Sequence, residues 1–284
     1  TATGAIADPL GVTELDLSVG LQGPDVAVLS TYVGADVPAL GRFKVSAALA
    51  GRMAAPTVSA LRLQTQSARG AKLVVTGQVA QPLIAEGLDL RFDVTGPGGA
   101  VLGDLLSWPS PEADNLVDNL TAKGRIKGST VAFQLDALDL RLKDSDLRGR
   151  LEVDLRGDRP QITAVLQSKY LNLTNYFGSD SPSKDRNKTE ATPQQRLIPD
   201  LDLNLGALAL LDGNLQIQVA KLRRGGLVLE KLHLRGAVQG GALTLHPSTA
   251  QLAKGQLALG GDLNSDGAAL QLSVRRAAMA TLGP

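Results

Sequence analysis

The chain has 284 residues, 29 basic and 28 acidic side chains and no cysteine. A formal charge of +1 leaves no basic field for nucleic acid and no acidic one for cations, and the missing thiols remove disulfides and thiolate metal sites. One Trp, three Tyr and four Phe in a leucine-rich chain point to a thin, layered or elongated body rather than a compact core filled by aromatics.

The first element read in chain order is "ELDLSVGLQGP" (Glu14 to Pro24), where Leu15, Leu17, Val19 and Leu21 alternate with Asp16, Ser18 and small residues. Period two predicts a strand with one apolar face and one wet face. The pattern returns 73 residues later in "GLDLRFDVTGP", with Leu88, Leu90, Phe92 and Val94 on the stripe and Asp89, Arg91 and Asp93 between them. Their flanks match as well, "GAIADPL" at Gly4 answering "GQVAQPL" at Gly77, so the chain contains an internal repeat.

After each stripe comes a Gly-Pro break and a segment with apolar residues three and four apart, "DVAVLSTYVG" from Asp25 and "GAVLGDLLSW" from Gly99. Each is predicted to be a short helix whose apolar side (Val26 and Leu29; Leu105 and Leu106) needs an apolar partner. Capping of the sheet is one role for them and gating of whatever the sheet holds is another. Further strands are predicted at Phe43 to Ala50, Val58 to Gln64, Leu73 to Val79, Leu116 to Ile126, Val131 to Leu135, Leu138 to Leu142, Leu147 to Leu155 and Ile162 to Gln167. Within them "ALRLQTQSARGAKLVV" at Ala60 aligns with "ALDLRLKDSDLRGRLEV" at Ala137. Ser179 to Gln195 contains Ala191 as its sole apolar residue and reads as a disordered loop. Alternation resumes with Leu201, Leu203 and Leu205, then Leu215, Ile217 and Val219, and continues through "ALTLHP", "TAQLAKG" and "LQLSVRR".

These elements predict a mainly β fold: an elongated, curved antiparallel sheet of repeated β-hairpin units forming an open β-groove, with a short helix in each repeat. The units are 1–76, 77–155 and 156–284. About 18 short strands at roughly 4.8 Å imply a length of some 80 to 90 Å. A membrane barrel would need strands of about nine to eleven residues and aromatic girdles, and a closed sandwich would not need the repetition. A curled, repeat-extended sheet would expose a continuous apolar surface and so calls for an apolar ligand.

Catalytic chemistry finds little support. His233 and His246 alternate with leucines and read as exposed strand residues rather than ligands. "DLNSDG" at Asp262 copies half of a calcium loop but has Ser273 where the bidentate Glu belongs, so it reads as a hairpin turn, as does "RGD" at Arg156. No nucleophile elbow, P-loop or dinucleotide fingerprint occurs. We therefore expect no enzyme, no catalytic residues, no metal and no cofactor. No apolar run approaches a spanning helix, and the start lacks a signal-peptide pattern, so the chain reads as an interior segment of a larger protein.

The run "RGDRPQITAVLQSKYLNLTNYFG", a polar insertion, and then "LDLNLGALALLDGNLQIQVAKLRRGGLVLEKLHLRGAVQGGALTLHPSTAQLAKGQLALGGDL" resemble the AsmA-like, TamB-related family of Gram-negative envelope proteins. The "G-x-[VI]-A-x-PL" repeats fit the same family. The resemblance implies a periplasmic β-groove segment of a protein anchored in the inner membrane, carrying phospholipid acyl chains between inner and outer membrane. Under it Leu15, Leu17, Val19, Leu21, Leu88, Leu90, Phe92, Val94, Leu201, Leu203, Leu205, Leu215, Ile217 and Val219 are groove residues. Val26, Leu29, Leu105 and Leu106 are candidates for a gate. The alternative is a periplasmic scaffold or assembly factor that engages outer-membrane proteins through exposed sheet edges.

Overall fold

A computed structural model describes residues 2–6, 15–30, 39–101, 118–174, 211–252, 255–264 and 267–276. The described residues form one open, curved sheet whose fifteen strands lie side by side in chain order. They are β1 (Ala2–Ile6), β2 (Leu15–Gly23), β3 (Arg42–Arg52), β4 (Ala55–Gln66), β5 (Lys72–Gln81), β6 (Glu86–Pro97), β7 (Asn119–Ser129) and β8 (Ala132–Leu142). There follow β9 (Ser145–Asp154), β10 (Gln161–Asn172), β11 (Asp212–Arg224), β12 (Leu227–Gln239), β13 (Ala242–Leu252), β14 (Gly255–Asn264) and β15 (Gly267–Arg276). Fifteen strands at about 4.8 Å span roughly 70 Å, shorter than the sequence estimate.

The described strands are longer than predicted, and the reason is local. Val131 to Leu135 and Leu138 to Leu142 read as two strands, yet they are one strand, β8, that passes through a β-bulge with Ala137 at φ 51°. The same device recurs every fourth strand, with Ala60 in β4 (φ 50°) and Lys231 in β12 (φ 50°). A bulge lets the apolar side skip three residues instead of two, so Val58 and Leu61, Leu135 and Leu138, and Leu229 and Leu232 stay on one face. "ALTLHP" and the "TAQL" of "TAQLAKG" likewise belong to the single strand β13, which shifts register between Leu245 and Ser248 around Pro247.

Strand length therefore does not argue against a membrane barrel. The open pairing does, since among the described residues the strands run from β1 to β15 without closing on themselves.

Two further expectations change. The pairing is not wholly antiparallel: β10 and β11 run parallel, Gln161 opposite Asp212 through Asn172 opposite Arg223. β10 ends at one long rim of the sheet and β11 starts at the other, so β11 to β14 run opposite to their counterparts four positions earlier. A short helix in each repeat is not supported. In the first segment the described residues are a 3-10 turn, Val26–Leu29, with Asp25 accepting a hydrogen bond from the Ala27 amide at 2.9 Å, followed by Ser30 in helical conformation. In the second it is one turn, Gly98–Ala100. Leu105 and Leu106, the polar segment Ser179 to Gln195, and Leu201, Leu203 and Leu205 lie outside the described residues.

The boundary read at residue 76 falls inside β5, so the first two units share a strand and are parts of one sheet.

Candidate functional site, an apolar concave face

The register carries one apolar face across the whole sheet. A middle row runs Val19, Ala47, then Gly77, Leu90, Ile126, Leu135, Leu151, Ala164 and Leu215, each opposite the next in the pairing on either side of the β4 bulge. Beside it run Leu17, Leu49, Val58, Val79 and Leu88, and on the other side Leu63, Val75 and Phe92. Away from two clusters at one rim, no second layer packs on this face among the described residues, and each strand packs mainly on its sheet neighbours. The aliphatic side chains of these rows are nevertheless half-buried, while the alternating Asp16, Ser18, Lys44, Arg62, Arg91, Lys127, Gln134 and Glu152 are exposed. A flat sheet would expose both faces equally, so the apolar face is the concave one.

Bulges and glycines produce the curvature. Gly77 (φ 150°) lies opposite Leu61 beside the β4 bulge, and Gly149 (φ 155°) lies opposite Leu138 beside the β8 bulge. Adjacent backbone approaches both so closely that a side chain has no room.

Of the predicted stripe residues, Leu15 and Val94 are buried, Leu17, Val19, Leu88, Leu90, Phe92, Leu215 and Ile217 are half-buried, and Val219 is 2 % exposed. Leu21 shares the face, opposite Val45, but is 48 % exposed. Asp16, Ser18 and Arg91 are exposed as predicted. Asp89 is instead half-buried, because the Arg125 guanidinium grips it bidentately and holds its carboxyl below the usual aspartate range.

Two apolar clusters sit on the concave face at one rim, which we call the linker rim because the β2–β3 and β6–β7 connections leave from it. Val26 and Leu40 pack with Phe43 against Val45, Leu63 and Leu73. Ala100 and Val101 pack with Val94, Leu120 and Leu142 against Leu73, Phe92 and Ala122. Leu73 belongs to both, so the two repeat segments cover neighbouring stretches of the same rim. Val26 is thus on the groove face; Leu29 closes its turn.

Polar groups on this side are few. Ser67, Ser145 and Ser248 are buried and cap backbone amides of Ala71, Asn172 and Arg235 at 3.0–3.1 Å. Ser168, in register with Val219, is buried with its Oγ lacking a partner. Sequence reasoning missed these serines, since a serine in a strand looks like a wet-face residue until the register is known.

The convex face is polar and laced by ion pairs, across strands between Asp93 and Lys123 at 2.8 Å and between Asp139 and Arg148 at 3.4 Å, and within β8 between Asp139 and Arg141 at 3.1 Å. His233 and His246 are exposed there. Among the described residues no group of three His, Asp or Glu side chains is placed to hold a metal.

The opposite rim, the hairpin rim, carries the turns after β3, β5, β7 and β9. At the last of these Arg156 clamps Asp154 through Nε at 2.9 Å and lowers its pKa to about 2. A depressed carboxyl favours the fold above the unfolded aspartate pKa of about 3.9, and that contribution fades as pH falls through about 2. In a carboxyl-carbon NMR titration Asp154 should titrate near 2, and Arg156→Gln should return it towards the ordinary aspartate value.

No protein family, curated protein or solved structure matches the chain.

Proposed function

We propose that the chain is a non-enzymatic lipid-binding conduit in which the concave face accepts phospholipid acyl chains. The observation that carries this reading is the continuous aliphatic face, traced from β2 to β11 and beyond, with no second layer packed on it among the described residues away from the two rim clusters. Such a surface normally marks a ligand or partner. Its physics suits acyl chains: burial favours transfer by about 0.8 kcal/mol per CH₂, and a floor of Leu, Val and Ile offers near-equal sites along its length, so a chain slides without deep traps. Phospholipid head groups stay wet along the open side. In the cell the resemblance to the AsmA-like, TamB-related family suggests a periplasmic segment of an inner-membrane-anchored protein that links the two membranes.

Gentle purification followed by organic extraction and mass spectrometry tests the proposal. Co-purifying phospholipid, together with crosslinking of lipid to a photoreactive residue at Ile126 and none at Lys127 on the convex face, is the expected result. Lipid-free protein that takes up no fluorescent phospholipid would sink it and would favour the scaffold reading, in which edge strands pair with envelope proteins.

A further inference from the structure

Eight large apolar side chains are exposed among the described residues, and five of them stand at the tips of successive turns on one rim. Met53 is in the β3–β4 turn, Leu83 and Ile84 in the β5–β6 turn, Val131 in the β7–β8 turn and Leu155 in the β9–β10 turn. Their exposures run from 44 % at Leu155 to 69 % at Leu83. Isolated exposed aliphatics are ordinary, but a row confined to one rim is not. The described turns on the linker rim, Ser67 to Gly70, Lys143 with Asp144, and Gly225 with Gly226, differ in kind, and so does Gly240 with Gly241 farther along the hairpin rim, so the row is confined to the turns from β3 to β10.

The tips are also tied to one another. Thr130 N donates to Ala85 O at 3.3 Å, Leu155 N to Val131 O at 2.7 Å and Asp212 N to Pro160 O at 2.8 Å, so backbone hydrogen bonds link turn to turn beyond the ends of the strands. The first two bonds join the three turns that carry Leu83, Ile84, Val131 and Leu155, and with Met53 one turn further along the row is about 30 Å long, with teeth two strands, roughly 10 Å, apart.

We propose that the hairpin rim is a membrane-docking edge, with Met53, Leu83, Ile84, Val131 and Leu155 inserting into the interfacial layer of a lipid bilayer. Teeth about 10 Å apart with polar gaps bury no contiguous area against a folded partner, whereas lipid flows around each tooth. The rim carries no excess of positive charge: Arg156 and Arg159 pair with Asp154 and Asp212, and Arg52 is outnumbered by Glu86 and Asp158. Insertion is therefore driven by apolar burial rather than by anionic lipid. Directly behind the teeth lies the floor row Leu88, Gly128, Phe133, Val153 and Ile162, so docking by this rim brings the concave face to the hydrocarbon boundary. The choice of a bilayer as partner rests in part on the acyl-chain reading; the row of tips does not.

Flotation with phosphatidylcholine vesicles tests it. The chain should float, and should still float at about 0.5 M salt. Replacing all five tip residues by Ser should cut the bound fraction roughly tenfold or more with the thermal midpoint unchanged. Val28→Ser and Leu227→Ser together, which remove exposed aliphatics away from this rim, should leave it intact. Because the chain has no cysteine, a single Leu83→Cys label with an environment-sensitive dye gives a second readout independent of the five-fold variant. Its emission should rise on vesicle addition, and that of a Leu227→Cys label should not. A wild-type chain that does not float, a five-fold variant that floats equally well, equal loss in the control, or labels that respond alike would each overturn the proposal. So would a tip variant that abolishes self-association instead of flotation. Lipid extracted from the same preparations reports on the conduit reading separately, since a chain can carry lipid without floating or float without carrying it.

Discussion

Gly77→Val and Gly149→Val should each cost the sheet about 3 kcal/mol or more and, combined, abolish its cooperative melt. A Cβ on Gly77 would lie 2.1 Å from the Asp89 carbonyl oxygen, and one on Gly149 would lie 2.1 Å from that of Val165. Both obstacles are backbone in the adjacent strand, which cannot swing aside without breaking the ladder. Both glycines also have φ values of 150° and 155°, where a β-branched residue is strained regardless of space. A Cβ on Gly226 in the β11–β12 turn would meet nothing within 4 Å, so Gly226→Ala should be near neutral. Thermal unfolding followed by far-ultraviolet circular dichroism separates the cases. If Gly77→Val melts like the wild type, the close approach beside the bulge is not a structural requirement.

The stripe from Leu88 to Val94 was legible because one face of β6 is apolar and the other is not, and period two survives any change in what the neighbours do. The repeat was legible for the same reason: "ALRL" in β4 and "ALDL" in β8 occupy equivalent bulged positions. The bulge itself was hidden, because Ala60 and Ala137 adopt a left-handed conformation that a sequence signals only through glycine or asparagine. Hence one strand read as two. The parallel β10–β11 pair was hidden too, since alternation has no direction and the side-chain pattern of a strand is unchanged when it is reversed. The tip row needed more than either. Met53, Val131 and Leu155 each look incidental in a turn, and they become a row only when strand order sets those turns on one rim.

A carboxylate on the concave floor should empty the groove without unfolding it. Leu90 and Leu151 lie on the middle row, half-buried, with no layer packed above them among the described residues. An aspartate at either position still reaches water, so the desolvation that makes a buried charge destructive in a closed core is small here. A bound acyl chain would change that by covering the carboxylate. Losing contact with two or three CH₂ groups and desolvating the charge together amount to roughly 2–4 kcal/mol, which is a loss of about 30-fold to 1,000-fold in affinity. Leu90→Asp and Leu151→Asp should therefore keep the β signal and lose co-purifying phospholipid, whereas Arg91→Asp, one residue away on the convex face, should keep both. The neighbouring position decides the matter, because only a face-specific ligand distinguishes Leu90 from Arg91. If both aspartates leave lipid loading unchanged in a folded protein, the concave face is not where acyl chains reside.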